Sequence, residues 1–316
     1  MNDIFGFVLE FCYKIADNYV VSLLLFALLM QIVIMLPLGI WQHRNMIKQA
    51  KMRPKEYALR QKYAGRNDQV TMRKYQQELQ EMYTREGYSP LAGCLPMIIQ
   101  IILIFPIYQV VIRPLEFIAG LSSEVCAKLG ELLTVNGSAP QIEIASQLRD
   151  NWGNLSAIID PKATVKIGEE TVNLLAKVQE AKVIPDATLF GTDLSYTPFS
   201  AFGQSYWWLI FIPILNLAFM YLSQYLSRKL TYQPNQEAQA QMGGSMKIMM
   251  WTMPLMTMFF TFGFASAIGI YWIFRTVLAM LQQFILAKSM PYPRYTEEQL
   301  KEMTKTSKKS KTTQQE

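Results

Sequence analysis

The five longest apolar runs of this 316-residue chain contain no aspartate and no glutamate, and the whole chain has one histidine and three cysteines. These absences exclude a good deal. Acid–base chemistry inside the runs has no His, Asp or Glu to use. Their only lysine, Lys247, stands at an end, so a Ser–Lys pair is missing too. His43 has no Cys or acidic cluster near it in sequence, so neither a metal site nor a catalytic triad is visible. No enzyme and no cofactor are expected. Cys12, Cys94 and Cys126 do not form a disulfide framework, although a Cys12–Cys126 pairing stays open.

What is present is apolar. Hydrophobic residues make up 51% of the chain and charged residues 17%, too lopsided for an ordinary soluble domain. A spanning helix needs roughly 20 apolar residues for a ~30 Å hydrocarbon core. Segments 19–41, 91–113, 206–226, 247–264 and 266–287 meet or approach that length. The last two are divided only by "FASA" at 264–267, which predicts a tight hairpin. The fold class is therefore an all-α polytopic membrane protein with five transmembrane helices. Segment 42–90 holds eleven Lys/Arg against five acids, while 114–205 holds six against eleven. Basic loops face the cytoplasm, which puts the N-terminus outside and the C-terminus inside.

The parts between the runs have their own patterns. In residues 1–18 the charged Asp3, Glu10, Lys14 and Asp17 fall on one narrow face, which predicts a helix lying in the membrane interface. An uncleaved extension of the first span is the alternative. Residues 42–90 read as a cytoplasmic helical hairpin broken at "YAGRND", with Asp68 as N-cap. Segment 114–205 predicts helices near 118–134, 141–159 and 169–182, a helical cap on the outer face. The connection 227–246 is a short basic loop, and 288–316 reads as a disordered basic tail.

One charge stands out. In "GIYWIFRTVLAM", residues 269–280, Arg275 has only uncharged neighbours. It lies about 18 Å from the inner end of its helix at 1.5 Å per residue, farther than snorkelling covers. A central charge costs about 2.5–3.5 kcal/mol on insertion scales, and the spans offer no acid to pair with it. A water-filled cavity or a bent helix at the periphery remains. Gln31, Gln100 and Asn216 lie at similar depth. Each could form a single interhelical hydrogen bond, but together with Arg275 they favour a shared hydrated pocket.

Three stretches carry a resemblance. "YSPLAGCLPMIIQIILIFPIY" at 88–108, "LPLGIWQHRNMIKQAKMRP" at 36–54 and "MKIMMWTMPLMTMFFTFGFASAIGIYWI" at 246–273 resemble the YidC/Oxa/Alb membrane protein insertases. The resemblance covers about two-thirds of the chain, in order. It implies a bacterial-type member without the large periplasmic domain of some relatives, in the bacterial cytoplasmic membrane. Such a protein takes nascent membrane proteins into a hydrophilic groove open to cytoplasm and lipid, then releases their helices into lipid. Partners implied are membrane lipids, the Sec translocon, the ribosome and the signal recognition pathway, the last three through hairpin 42–90 and tail 288–316. The family's groove arginine falls at Ile32 here, beside Gln31, so the usual arginine is absent. The expectation is that Arg275 supplies the groove charge from the fifth span, with Gln31, Gln100 and Asn216 lining the groove. The alternative from another class is a small anion transporter or channel using Arg275. Against it stand the absence of an inverted repeat and of an intramembrane carboxylate.

Overall fold

The structure, a computed structural model, describes residues 2–65, 68–88, 95–181, 183–230 and 244–303, without the side chains of 95–97, 100 and 244–250. The start of the predicted second span, the connection 231–243 and the tail 304–316 thus lie outside the described residues. Along the chain, α1 (Asn2–Ala16) and α2 (Tyr19–Met30) lead through a π-helical turn, Gln31–Met35, into α3 (Leu36–Tyr63) and then α4 (Gln69–Arg85). There follow α5 (Leu95–Ile112), α6 (Pro114–Phe117), α7 (Ser123–Leu132) and α8 (Pro140–Asp150). Next come strands β1 (Thr164–Ile167) and β2 (Glu170–Asn173), helix α9 (Leu174–Gln179), and strands β3 (Thr188–Leu189) and β4 (Thr192–Asp193). The chain continues with α10 (Phe211–Leu230), α11 (Gly244–Gly263) and α12 (Ser266–Ser289).

Among the described residues three helices are long and apolar enough to cross a membrane: Tyr19–Tyr63, Trp207–Leu230 and Ser266–Ser289, with Ile101–Ile112 a shorter apolar helix. The chain divides into two compact units. One comprises Met1–Val33, Ile101–Gln224 and Lys247–Met280, the other Ile34–Gln100, Tyr225–Met246 and Leu281–Glu316.

In the first unit, α1 is apolar on two sides. It buries Phe5, Leu9, Cys12 and Tyr13 and exposes Ile4, Phe7, Phe11 and Ile15. The exposed set recurs at three- and four-residue spacing, a continuous apolar stripe. A glycine at position 6 lets the Phe117 ring of α6 lie against the α1 backbone, where any Cβ would collide with it. Asp17, in the left-handed region (φ 47°), ends α1, and the Asn18 side chain caps α2 by accepting from the Val21 N–H at 3.1 Å.

Segment 114–205 has a core of its own, in which Leu115, Leu129, Ile144, Leu148, Ile159 and Leu174 are at most 1% exposed. Cys126 lies in this core, its thiol pushed up to about 12 by burial, and is free, as is Cys12. The helix predicted over 169–182 is a correction: residues 170–173 form the second strand of a hairpin, and helix begins only at Leu174. Gly168 takes the left-handed conformation of the turn (φ 62°), and Val165 pairs with Val172. β-Branched residues on both arms outweigh the helical spacing there. Asn173 then caps α9, accepting from the Ala176 N–H at 2.9 Å. The helix predicted over 118–134 starts later, at Ser123, and the one over 141–159 ends at Asp150 before a 3₁₀ turn. The cap is thus mixed rather than purely helical. It is tied to the last helix through backbone groups. The Ser266 N–H and hydroxyl both donate to the Tyr196 carbonyl, at 3.0 and 2.7 Å, and the Ala267 N–H donates to Leu194 at 3.1 Å. The first N–H groups of α12, which lack partners within the helix, are satisfied in this way.

In the second unit, α3 and α4 form an antiparallel hairpin. It is held by polar groups rather than by a core, since α4 buries no residue. Lys55 pairs with Glu86, Lys62 with Glu78 at 2.6 Å, and the Tyr83 hydroxyl donates to Glu56 at 2.8 Å. Burial raises the Glu56 carboxyl, opposed by Tyr83 and Arg53. Its contribution to the fold is complete below the ordinary value of 4.5 and is lost as pH rises through the raised folded value. Glu78, lowered by the hydrogen bonds from Lys62 and Tyr63, contributes above 4.5 and loses that contribution on acidification. The hairpin is therefore expected to loosen as pH rises from 4.5 through the raised value of Glu56. Amide hydrogen exchange across Tyr75–Tyr83, corrected for intrinsic rates, should show protection falling over that range, and Glu56→Gln should abolish the fall. Protection independent of pH in the wild type would mean that Glu56 is solvated.

Residues 290–303 correct the reading of the whole tail as disordered. His43, 5% exposed, donates from Nε2 to the Met290 carbonyl at 2.8 Å and accepts at Nδ1 from the Tyr292 hydroxyl at 2.6 Å. The carbonyl can only accept, which fixes the tautomer. Leu300 is 1% exposed. Tyr292 and Leu300 give this stretch the apolar anchors that the lysine-rich end lacks.

Candidate functional site

Arg275 lies on α12 one turn beyond Tyr271, which is buried and meets the Phe26 ring of α2 at 6.0 Å between centroids. At 100° per residue Arg275 falls within about 40° of Tyr271 and of Gln282. Gln282 donates from Nε2 to the Met35 carbonyl at 3.1 Å. Arg275 therefore shares the face of α12 whose other polar member addresses the first-span helix. It is half-buried, and among the described residues it makes no hydrogen bond and no ion pair.

Gln31, 8% exposed, opens the π-helical turn. Pro37, in the first turn of α3, has no N–H to give to the preceding turn, and the helix widens just before it. Both α2 and α12 start beside the loops 188–196, as the hydrogen bonds from Ser266 and Ala267 show for α12. From the Phe26–Tyr271 contact, Gln31 is five residues on, about 7.5 Å, and Arg275 four, about 6 Å. The two polar groups occupy one layer.

Asn216 is placed differently from the expectation of a groove-lining residue. It is 2% exposed, and its Nδ2 donates to the Gly269 carbonyl of α12 at 3.0 Å. This is an interhelical bond of the ordinary membrane kind. It requires close approach: a Cβ on Gly269 would stand 2.5 Å from Ile212 Cγ2 and 3.3 Å from Thr261 Cγ2. Gln100 lies in α5, and its side chain is outside the described residues. Ile32, where the resemblance places the family's arginine, is 50% exposed.

Two polar features escaped the sequence reading. Gln109 of α5 has an enclosed Oε1 with no hydrogen-bond partner among the described residues. It lies toward the end of its apolar run, away from the mid-run polar residues. In the second unit a cavity of about 200 Å³ is lined by Gln42, His43, Ser227, Gln282 and Gln283. Those residues stand at the ends of three separate apolar runs, so no single stretch of sequence displays them as a group. Gly39 belongs to the same cavity, and its missing side chain makes room for the Gln282 amide.

The comparisons with known proteins bear on this arrangement. The model of the 60Kd inner membrane protein family matches residues 11–294. The chain belongs to that family. The membrane protein insertase YidC of Treponema denticola is 29% identical over 284 residues, covering 90% of this chain and 37% of that protein. YidC of Ruegeria sp. is 26% identical over 287 residues, 90% of this chain and 36% of the relative. A shorter match, 32% identical over 106 residues, reaches the membrane protein insertase YidC 2 of Bacillus anthracis and covers 34% of this chain and 41% of that one. The chain thus spans little more than a third of the length of the two relatives that it matches along most of its own. The family match takes in both spans that carry Gln31 and Arg275, the cap between them and the cationic end of α12.

Proposed function

We propose that this protein is a membrane protein insertase of the bacterial cytoplasmic membrane, with five spans, an outer N-terminus and an inner C-terminus. In this reading a polar groove, open to cytoplasm and lipid, receives the short hydrophilic tail of a nascent membrane protein. Arg275 and Gln31 form its charged floor, and Asn216 holds α10 against α12 beside it. An acidic tail is drawn to Arg275, the hydrocarbon path left to cross is shortened, and the client's apolar helix leaves into lipid. The membrane potential assists a negative tail at about 2.3 kcal/mol per charge per 100 mV. The observation that carries the reading is Arg275, a mid-span cation on the face of α12 that addresses the first span, in a chain whose family relatives are named insertases. Those names support insertion over the anion-transport alternative. The Sec translocon, the ribosome and the signal recognition pathway are proposed partners of α3, α4 and the basic tail.

The test is insertion into liposomes holding only this protein. A small single-span client with an acidic translocated tail is followed by protease protection, with and without an imposed potential. Protection of the tail in proportion to the protein present is expected, with a weaker effect for a client bearing a basic tail. Equal protection in protein-free liposomes would end the proposal of autonomous insertion.

A further inference from the structure

A second cavity, of about 860 Å³, lies wholly within the second unit and concentrates positive charge. Arg53 of α3, Arg228 and Lys229 near the end of α10, Lys288 of α12 and Arg294 beyond it all line it, and among the described residues no acid does. Like charges repel, so a fold that gathers five of them must hold them in place. The segment after α12 does part of this. Pro291 and Pro293 stiffen it, the Tyr292 hydroxyl fastens it to His43, and the Arg294 guanidinium donates to the Lys229 carbonyl at 3.5 Å. The Lys229 ammonium lies over the Tyr225 ring at 4.6 Å, a cation–π contact that sets its direction.

The rest of the wall is apolar: Leu230, Phe284 and Ala287. Phe284 is 51% exposed and continues into Ile285 and Leu281, also exposed, along the same helix. Depth completes the picture. From Ser266 to Lys288 the helix rises about 33 Å, and from Trp207 to Arg228 about 31 Å, each close to the hydrocarbon thickness of a bilayer. The cationic ends therefore lie at headgroup level while the apolar wall reaches into the acyl region. A ligand matching this cavity is anionic at one end and oily at the other.

We infer that this cavity binds the phosphate headgroup of an anionic phospholipid, with an acyl chain along Phe284 and Leu281. Basic pockets between helices take such headgroups, and arginine forks suit phosphate oxygens. A free phosphate would leave the apolar wall unused, and a nucleic acid would need a longer surface than this cavity offers. The inference needs only that the chain is embedded in a membrane, so it stands or falls apart from insertion of clients.

Native mass spectrometry of the full chain in mild detergent tests it, with dioleoyl-phosphatidylglycerol, dioleoyl-phosphatidylcholine, inorganic phosphate and a short single-stranded RNA offered in separate arms. Phosphatidylglycerol should be retained at least tenfold more than phosphatidylcholine. Lys288→Gln with Arg294→Gln should remove most of that preference, whereas Lys288→Arg with Arg294→Lys should keep it, which separates lost charge from lost fold. Neutralising Lys308 and Lys309 in the tail should leave it intact. Equal retention of the two lipids overturns the inference, as does a preference that survives the double glutamine variant. Displacement of the lipid by equimolar inorganic phosphate would mark a free-anion site instead. RNA binding that alone responds to the glutamine variant would mark a nucleic-acid site.

Discussion

Arg275→Gln is expected to lower insertion of an acidic-tailed client by roughly tenfold while leaving a neutral-tailed client nearly unchanged. At an effective dielectric near 20, two unit charges about 5 Å apart attract by about 3 kcal/mol. Hydration of the proposed groove reduces that to about 1–2 kcal/mol, a factor of roughly ten. The same substitution should make the protein more resistant to unfolding, because an arginine with no acid beside it costs about 2.5–3.5 kcal/mol at mid-membrane on insertion scales. A variant that is more stable and less active separates a functional charge from a structural one. Adding Ile32→Arg to Arg275→Gln returns the charge to the position usual in the family and should restore the acidic client. The measurement is protease protection of both clients beside thermal unfolding in detergent. Equal insertion of both clients by Arg275→Gln and wild type would remove the arginine from the mechanism, and a loss of stability would assign it to the fold.

Gly269→Leu should prevent α10 and α12 from seating, with a loss of several kcal/mol. A Cβ alone would meet Ile212 Cγ2 at 2.5 Å, and Ile212, stiff at χ1, cannot swing away. Overpacking of this kind costs about 1–3 kcal/mol for small insertions, and the rest of a leucine has no space at all. The hydrogen bond from Asn216 to the Gly269 carbonyl goes with it, about 0.6 kcal/mol on average for membrane proteins. Gly269→Ala should be milder, since alanine regains about 0.5–1 kcal/mol of helix propensity. Combining Gly269→Ala with Ile212→Ala should recover most of the stability, because it removes the methyl that the new Cβ meets. Unfolding of the four proteins in a graded detergent mixture checks this. A Gly269→Leu protein as stable as wild type would show that the helices do not approach as closely as described.

How far the sequence reached depends on the scale of the feature. The apolar helices, Asp68 as the N-cap of α4, and the charge asymmetry between segments were legible because each is local: it needs one helix period, one cap or one composition. The hairpin at 164–173 was misread because Thr171 and Val172 belong to a pattern that only cross-strand pairing with Lys166 and Val165 reveals. The stretch 290–303 read as tail because lysines dominate beyond it, while its order comes from two anchors, Tyr292 and Leu300, and from a histidine 249 positions away from Tyr292.

The sequence by itself determined that Arg275 stands in an apolar helix without an acid to answer it, and that the segments on either side of the spans differ in charge. Hydropathy and charge are sums over neighbours in the chain, so they survive without coordinates. Only the tertiary structure decided what the polar residues at that depth do. Asn216 has a carbonyl to bond and so holds two helices together. Gln31 is set into a widened turn by Pro37, and Arg275 lies on the helix face that addresses the first span. It also decided that five cations from three helices and a proline-stiffened strap share one cavity. Such gatherings depend on which faces meet across the bilayer. Residues far apart in sequence carry no mark of that meeting until packing brings them to one place.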